Sequence, residues 1–288
     1  MTAPTTALNI PATLWPWSST GLIEHTSGVR QGIKCPAALI APNVAVTAAS
    51  CFCDYGGGTE FSAAKFSSGM FDGSAYFGAV VSNVFPSAPY CGGTDTCTTS
   101  GSLRKCANNL AVVSLQNINA PASLSGLVPG VVSPYYDIAS CPYSFTTGLT
   151  GSYAAQITSL GYASNLNNGE RMIRSDSLGQ LQYPNQLYIG SSMRANSRGS
   201  PMLVNFGKRM ANTKSPGIDD QPNTMVGVVS WYSAEATGGV NDYIVGGSCF
   251  GTNSEYPTTS NIISLVNEFC CPLPLATRAA LCGGVEAC

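Results

Sequence analysis

Short runs of apolar or alternating residues recur along this chain between clusters of Gly, Pro, Asn and Ser. They are TGLIEH (20–25), AALIAP (37–42), VAVTAA (44–49), YFGAVVSNVF (76–85) and NLAVVSL (109–115), then YAAQITSLGY (153–162), QLYIG (186–190), PMLVNF (201–206), TMVGVVSWY (224–232) and DYIVGG (242–247). Runs this short, rich in Val, Ile, Tyr and Thr and bounded by turn residues, predict β-strands. A helical period appears late. In TTSNIISLVNEF (258–269) the residues Ile262, Ile263, Leu265, Val266 and Phe269 share one side, with Thr or Ser available as the N-cap. The pattern predicts an all-β protein with a C-terminal helix. The Pro-containing stretch 117–136 would separate two barrels, and the tail 270–288 would be stapled rather than packed.

Composition sharpens this picture. The chain has 288 residues, enough for two barrels of about 100–130 residues each. Hydrophobic residues make up 44%, so a core can be buried, while only 10% are charged and the net charge is −2. No basic patch large enough for nucleic acid is visible, and no apolar stretch reaches the length of a membrane span. With few charges, the surface must be made of Ser, Thr, Asn and Gly, which tolerates close packing against other protein subunits. The tripeptide Asn-x-Ser/Thr is absent, so no N-linked sugar is expected. The first 17 residues lack the charge and apolar run of a signal peptide.

Twelve cysteines accompany a single histidine. Cys51-x-Cys53 and the adjacent Cys270 and Cys271 have the wrong spacing for a zinc site, and Asp219-Asp220 reads as a polar turn, so no metal and no cofactor is expected. An even count in a Gly-rich, weakly charged chain reads as a disulfide framework and an oxidising compartment. Six cysteines precede Asn109 and six follow it, which fits two units.

Four stretches, in order, resemble the chymotrypsin/trypsin-like serine proteases. CPAALIAPNVAVTAASC (35–51) resembles the family segment that ends Thr-Ala-Ala-His-Cys. NNLAVVSL (108–115) is similar to the Asn-Asp-Ile-Ala-Leu strand, NSRGSPMLV (196–204) to the nucleophile loop, and VGVVSW (226–231) to the strand lining the specificity pocket. The resemblance covers about residues 20–269. It implies two six-stranded antiparallel β-barrels with a C-terminal helix and a disulfide-stapled tail. The divisions expected are an arm (1–19), a first barrel (20–126), a second barrel (127–257), and helix plus tail (258–288).

The same resemblance implies that the catalytic machinery is gone. Ser50 falls at the general-base position, Asn109 at that of the orienting aspartate and Arg198 at that of the nucleophile. The chemistry needs a hydroxyl nucleophile, an imidazole and a carboxylate, and these three residues supply none in its place. Asn196 replaces the glycine of the oxyanion hole, Ser197 the aspartate that a freed N-terminus would pair with, and Tyr232 the glycine that leaves the pocket open. Ser197 as nucleophile in a shifted loop would still lack a base, because His25 lies in the first strand; Lys208 and Lys214 have no supporting spacing. Cys35 is implied to pair with Cys51. Cys53 is expected to bond Cys106, or else Cys91 or Cys97, with the remaining two closing 91–97. Cys141 is expected to reach a tail cysteine.

The expected function is therefore a non-catalytic, protease-like scaffold. It would act as a structural or assembly subunit in the extracellular space or on the surface of a particle or filament. The second reading is a soluble decoy or inhibitor that binds through the vacated cleft, and the third a residual serine hydrolase. Trp15 and Trp17 are candidate binding anchors or a strap over the barrel, and Arg198 a candidate anion contact or an ordinary loop residue.

Overall fold

The computed structural model describes residues 6–7, 14–100, 103–147, 153–182, 185–207, 221–237, 240–284 and 288. Lys208, Lys214 and Asp219-Asp220 lie outside them. The first barrel is built from β1 (Thr20–Ser27), β2 (Lys34–Ala41), β3 (Val44–Thr47), β4 (Ala63–Ser68), β5 (Phe77–Pro86) and β6 (Ala111–Ala120). They close in the order β1-β2-β3-β6-β5-β4. The second barrel holds β7 (Tyr153–Gly161), β8 (Ile173–Gln182), β9 (Gln186–Gly190), β10 (Pro201–Val204), β11 (Thr224–Thr237) and β12 (Val240–Cys249). It runs β8-β9-β12-β11-β10-β7 and closes where β7 pairs with β8. Both barrels are antiparallel, as expected.

Strand β2 explains why some apolar runs are unbroken rather than alternating. Every residue from Cys35 to Ala41 is buried. Cys35, Ala37 and Leu39 face the first-barrel interior with Ala45, Phe66 and Val113. Ala38 and Ile40, on the opposite face, join Val46, Leu110, Leu160, Leu203, Val228 and Phe250 in a core between the barrels. Successive side chains of a strand point to opposite faces, so a strand covered on both sides must be apolar throughout. The second-barrel interior contains Ile157, Leu187, Ile189, Val204, Val226 and Val245.

Two helices follow. Helix α1 (Asn261–Cys270) begins at the cap: the Ser260 hydroxyl accepts from the Ile263 amide. Its buried residues Ile262, Leu265, Val266 and Cys270 enter the core between the barrels. The tail is stapled as expected, by Cys270–Cys282 and Cys271–Cys288, but it is also helical. It forms α2 (Leu275–Cys282), which lies against the β2–β3 turn. The Asn43 amide donates to the Leu281 carbonyl at 3.0 Å, and a Cβ on Gly283 would sit 2.9 Å from Pro42. Tail residues thus complete the first barrel's flank.

All twelve cysteines are paired, in six bridges. Cys35–Cys51 is as the resemblance implied. Cys53 joins Cys91, one of its expected alternatives, and Cys106 joins Cys97 across a short hairpin (Cys97–Ser100 with Leu103–Cys106). The bridge therefore closes 97–106 rather than 91–97. Cys141 joins Cys249 at the end of β12, which corrects its expected link to the tail. The tail cysteines are already used up locally: Cys270–Cys282 ties α1 to α2 and Cys271–Cys288 closes the end. Six disulfides in this fold are consistent with an extracellular protein. No described helix is long and apolar enough to cross a membrane.

Candidate functional site

Strand β3 ends at Thr47, whose hydroxyl donates to the Pro36 carbonyl at 2.7 Å. The chain then makes a single 3-10 turn, Ala49–Cys51, held to β2 by the Cys35–Cys51 bridge. That turn presents Ser50. Asn109, which immediately precedes the buried start of β6, is only 2% exposed and meets it across the gap. The Ser50 amide donates to Asn109 Oδ1 at 2.8 Å, and Asn109 Nδ2 lies 3.2 Å from Ser50 Oγ. The same Nδ2 is within 3.0 Å of Ser230 Oγ and 3.2 Å of the Ser230 carbonyl on β11. The Asn109 amide donates to Ser248 Oγ on β12, whose hydroxyl in turn donates to the Cys106 carbonyl. Asn109 therefore pins one barrel to the other with an uncharged amide that satisfies its donors and acceptor together.

Arg198 comes to the same place from the second barrel. The loop before β10 is folded tightly: the Ser197 amide donates to the Arg194 carbonyl, and the Gly199 amide to the Val229 carbonyl. Asn196 adopts φ 63°, a left-handed conformation that Asn tolerates better than most side chains. Gly199, at φ 97°, allows the loop to touch β2 and β3, since a Cβ there would lie 2.2 Å from Thr47 Oγ1 and 2.3 Å from the Pro36 carbonyl. The Arg198 carbonyl is 3.9 Å from Cys51 Sγ, and the Arg198 side chain is exposed. Ser197 is fully buried, and its hydroxyl has no hydrogen-bond partner among the described residues.

Several residues that the sequence did not single out complete the site. The Cys53–Cys91 bridge draws the short helix Ala88–Gly92 onto the turn carrying Ser50. Tyr90 is thereby placed with its hydroxyl against the Ser50 side chain; burial raises its pKa, and the charges of Arg198 and Arg104 oppose the rise. The Tyr55 ring meets Tyr90 edge-on at 5.6 Å, with the Arg104 guanidinium 3.8 Å above it. Lys105 Nζ sits 4.4 Å over Trp231, and Tyr188 meets Trp231 edge-on at 4.9 Å. Ser230 and Trp231 lie inside the VGVVSW motif, but nothing in it marks the serine as the partner of Asn109. Tyr90 carried no sequence signal, because a disulfide 38 residues long sets its position.

The remaining candidates are elsewhere. His25 is 2% exposed on β1, packed against Phe52 and Phe61. Burial holds its pKa below the usual value, the Cys51 carbonyl pulls it back up, and Arg30 lowers it further. Tyr232 is half-buried at the margin of the second-barrel interior, opposite Val245. Trp15 packs at a tilt on Tyr136 at 5.5 Å and Trp17 meets Phe206 edge-on at 4.8 Å, so both lie against their own chain. Asp95 adjoins Cys97 and Cys106, but those two sulfurs are bonded to each other and offer no thiolate to a metal.

No family model and no curated protein matches the sequence. Solved structures do. A thermostable serine protease AL20 from an extremophilic microorganism superposes with a TM-score of 0.59 at 15% identity, covering 81% of this chain and 92% of its own. The chymotrypsin-like serine-protease fold is the fold of this chain. The protease Anisep from Arthrobacter nicotinovorans gives 0.58 at 16% identity over 82% and 91% of the two chains. A Glu endopeptidase in complex with MPD gives 0.59 at 18% identity over 92% and 95%. At such identities the likeness carries the architecture alone.

Proposed function

We propose that this chymotrypsin-like chain is a binding scaffold without hydrolytic activity. The observation that carries the reading is the Ser50–Asn109–Ser230 cluster. Where the sequence resemblance puts a general base and its orienting carboxylate, a hydroxyl and a neutral amide hydrogen-bond each other. A serine hydroxyl takes no proton near neutral pH, and an amide gives an imidazole no anionic partner. The sole histidine is shut inside the first barrel between aromatic rings. Arg198, a permanent cation, occupies the place assigned to the nucleophile. The role within this reading is that of a structural or assembly subunit outside the cell or on the surface of a particle. The weakly charged chain and its six bridges suit such a role.

A second use, binding a partner through the cleft, is favoured by the cations and aromatic rings that border Ser50. The test of inactivity is incubation with a fluorophosphonate probe followed by intact-mass measurement. No adduct is expected, and stoichiometric labelling of Ser197 would sink the reading.

A further inference from the structure

Around Ser50 and its neighbours, this sparsely charged chain places Arg104, Lys105 and Arg198 among aromatic rings. We propose that this region binds an acidic, extended peptide segment of a partner protein. The inference rests on the non-catalytic reading above and names the chemistry its cleft would recognise.

Three cations lie against aromatic residues of this region. Arg198 is exposed, forms no ion pair among the described residues, and sits close enough to act on the Tyr90 hydroxyl. Arg104 acts on the same hydroxyl and lies flat on Tyr55. Lys105, next to it, is held over Trp231 and 5.4 Å from the centre of Tyr188. Asp54, which also acts on Tyr90, is paired with Arg30 at 3.2 Å, a residue that Glu60 engages as well. None of the three forms an ion pair among the described residues, although the chain as a whole is negative.

Placement of these groups is built into the covalent framework. Cys53–Cys91 fixes Tyr90 beside Ser50, and Cys97–Cys106 closes the hairpin that bears Arg104 and Lys105. Each cation on this hairpin rests on an aromatic face, which restrains it at little cost to its charge. A restrained cation loses less conformational entropy when it pairs with a ligand carboxylate. The donors also suit carboxylates: two guanidinium groups can each take one in a two-pronged contact. The half-buried rings of Tyr55 and Tyr188 offer apolar surface to the intervening residues. An extended strand with carboxylates at alternate positions presents them on one face, which suits cations carried by two separate elements, the loop bearing Arg198 and the hairpin bearing Arg104 and Lys105. A phosphate-bearing ligand would meet the same cations and is decided by the test.

The experiment uses the full-length, disulfide-intact protein and fluorescein-labelled octapeptides alternating Glu with Ala, Gln with Ala, or Lys with Ala, read by fluorescence anisotropy across a salt series. The Glu peptide should bind, the Gln and Lys peptides should not, and binding should weaken as salt rises. Arg198→Gln and Arg104→Gln should each weaken the Glu peptide by about tenfold, the scale of one charge-assisted contact. Both residues are exposed, so melting temperature should hold and certify the fold. Equal binding of the Glu and Gln peptides, unchanged affinity in both variants, or stronger binding of a phosphopeptide or an oligonucleotide would each overturn the proposal. Mass spectrometry of the recovered peptides separates it from the reading beneath it. Cleaved peptide would end the non-catalytic reading while leaving anion recognition in place, whereas intact but unbound peptide would end only the proposal made here.

Discussion

Asp95 shows what one buried side chain can do in a protein with few charges. It is 5% exposed and accepts from the Asn108 amide and side chain at 2.9 and 2.8 Å. Burial pushes its pKa up to about 6, the Asn108 donors restrain the rise, and nearby Glu255 adds to it. Because the folded state holds the proton more tightly than the unfolded chain, stability should fall as pH rises from about 4 to about 6 and stay level above that. Asp95→Asn should flatten this slope in urea titrations at several pH values. His25 works in the opposite direction. Its pKa lies below 6.5 in the folded protein, so the unfolded chain takes up the proton first, and stability should fall as pH drops below about 6.5. His25→Phe should remove that loss, and a variant that keeps the wild-type acid profile would disprove the assignment. Asn109 makes its case by coordination rather than charge: Asn109→Ala would strand the Ser50 amide and the Ser230 hydroxyl, costing about 1–3 kcal/mol in denaturant melts.

At the scale of elements, close packing and covalent ties decide the outcome. Strands β11 and β12 can approach at Trp231 only because position 246 has no side chain; a Cβ there would fall 2.0 Å from the indole. Gly246→Ala should therefore lower stability by about 1–3 kcal/mol, as overpacked interiors do, and a measured loss below that range would mean the indole can turn away. Helix α2 is a short element whose buried contact is Cys282. Its attachment depends on the Cys270–Cys282 bridge, which spans 12 residues. Replacing both cysteines with serine should cost about 3 kcal/mol if the bridge acts by restricting the unfolded chain. The helix itself was hidden in PLPLATRAALC (272–282), which has two prolines at its start and no strong apolar stripe. Its reason for being helical is the surface of the β2–β3 turn that receives it, and that surface is remote in sequence.

For the whole molecule, the arm and the tail are straps. Trp15 and Trp17 rest on Tyr136 and Phe206, the Tyr136 hydroxyl donates to the Pro16 carbonyl at 2.6 Å, and Thr6 pairs with Arg174 on β8. Deletion of residues 1–17 should lower the melting temperature by uncovering these rings while leaving the oligomeric state in light scattering unchanged. A loss of self-association with the melting temperature intact would instead make the arm an assembly element. What the sequence determined by itself was ten of the twelve barrel strands, the order of four motifs and a capped helix over 258–269, because each depends on neighbours within a strand, a turn or a motif; the strands Ala63–Ser68 and Ile173–Gln182 were not legible, and the Cys35–Cys51 bridge came from the family resemblance. The tertiary structure alone decided which of its alternatives Cys53 takes and that Cys141 meets Cys249, that Tyr90 borders Ser50 with Tyr55 and Arg104 behind it, and that the tail folds back as a helix. Those pairings join residues from 9 to 147 positions apart, and a one-dimensional pattern holds no record of which distant surfaces the closing of two barrels will press together.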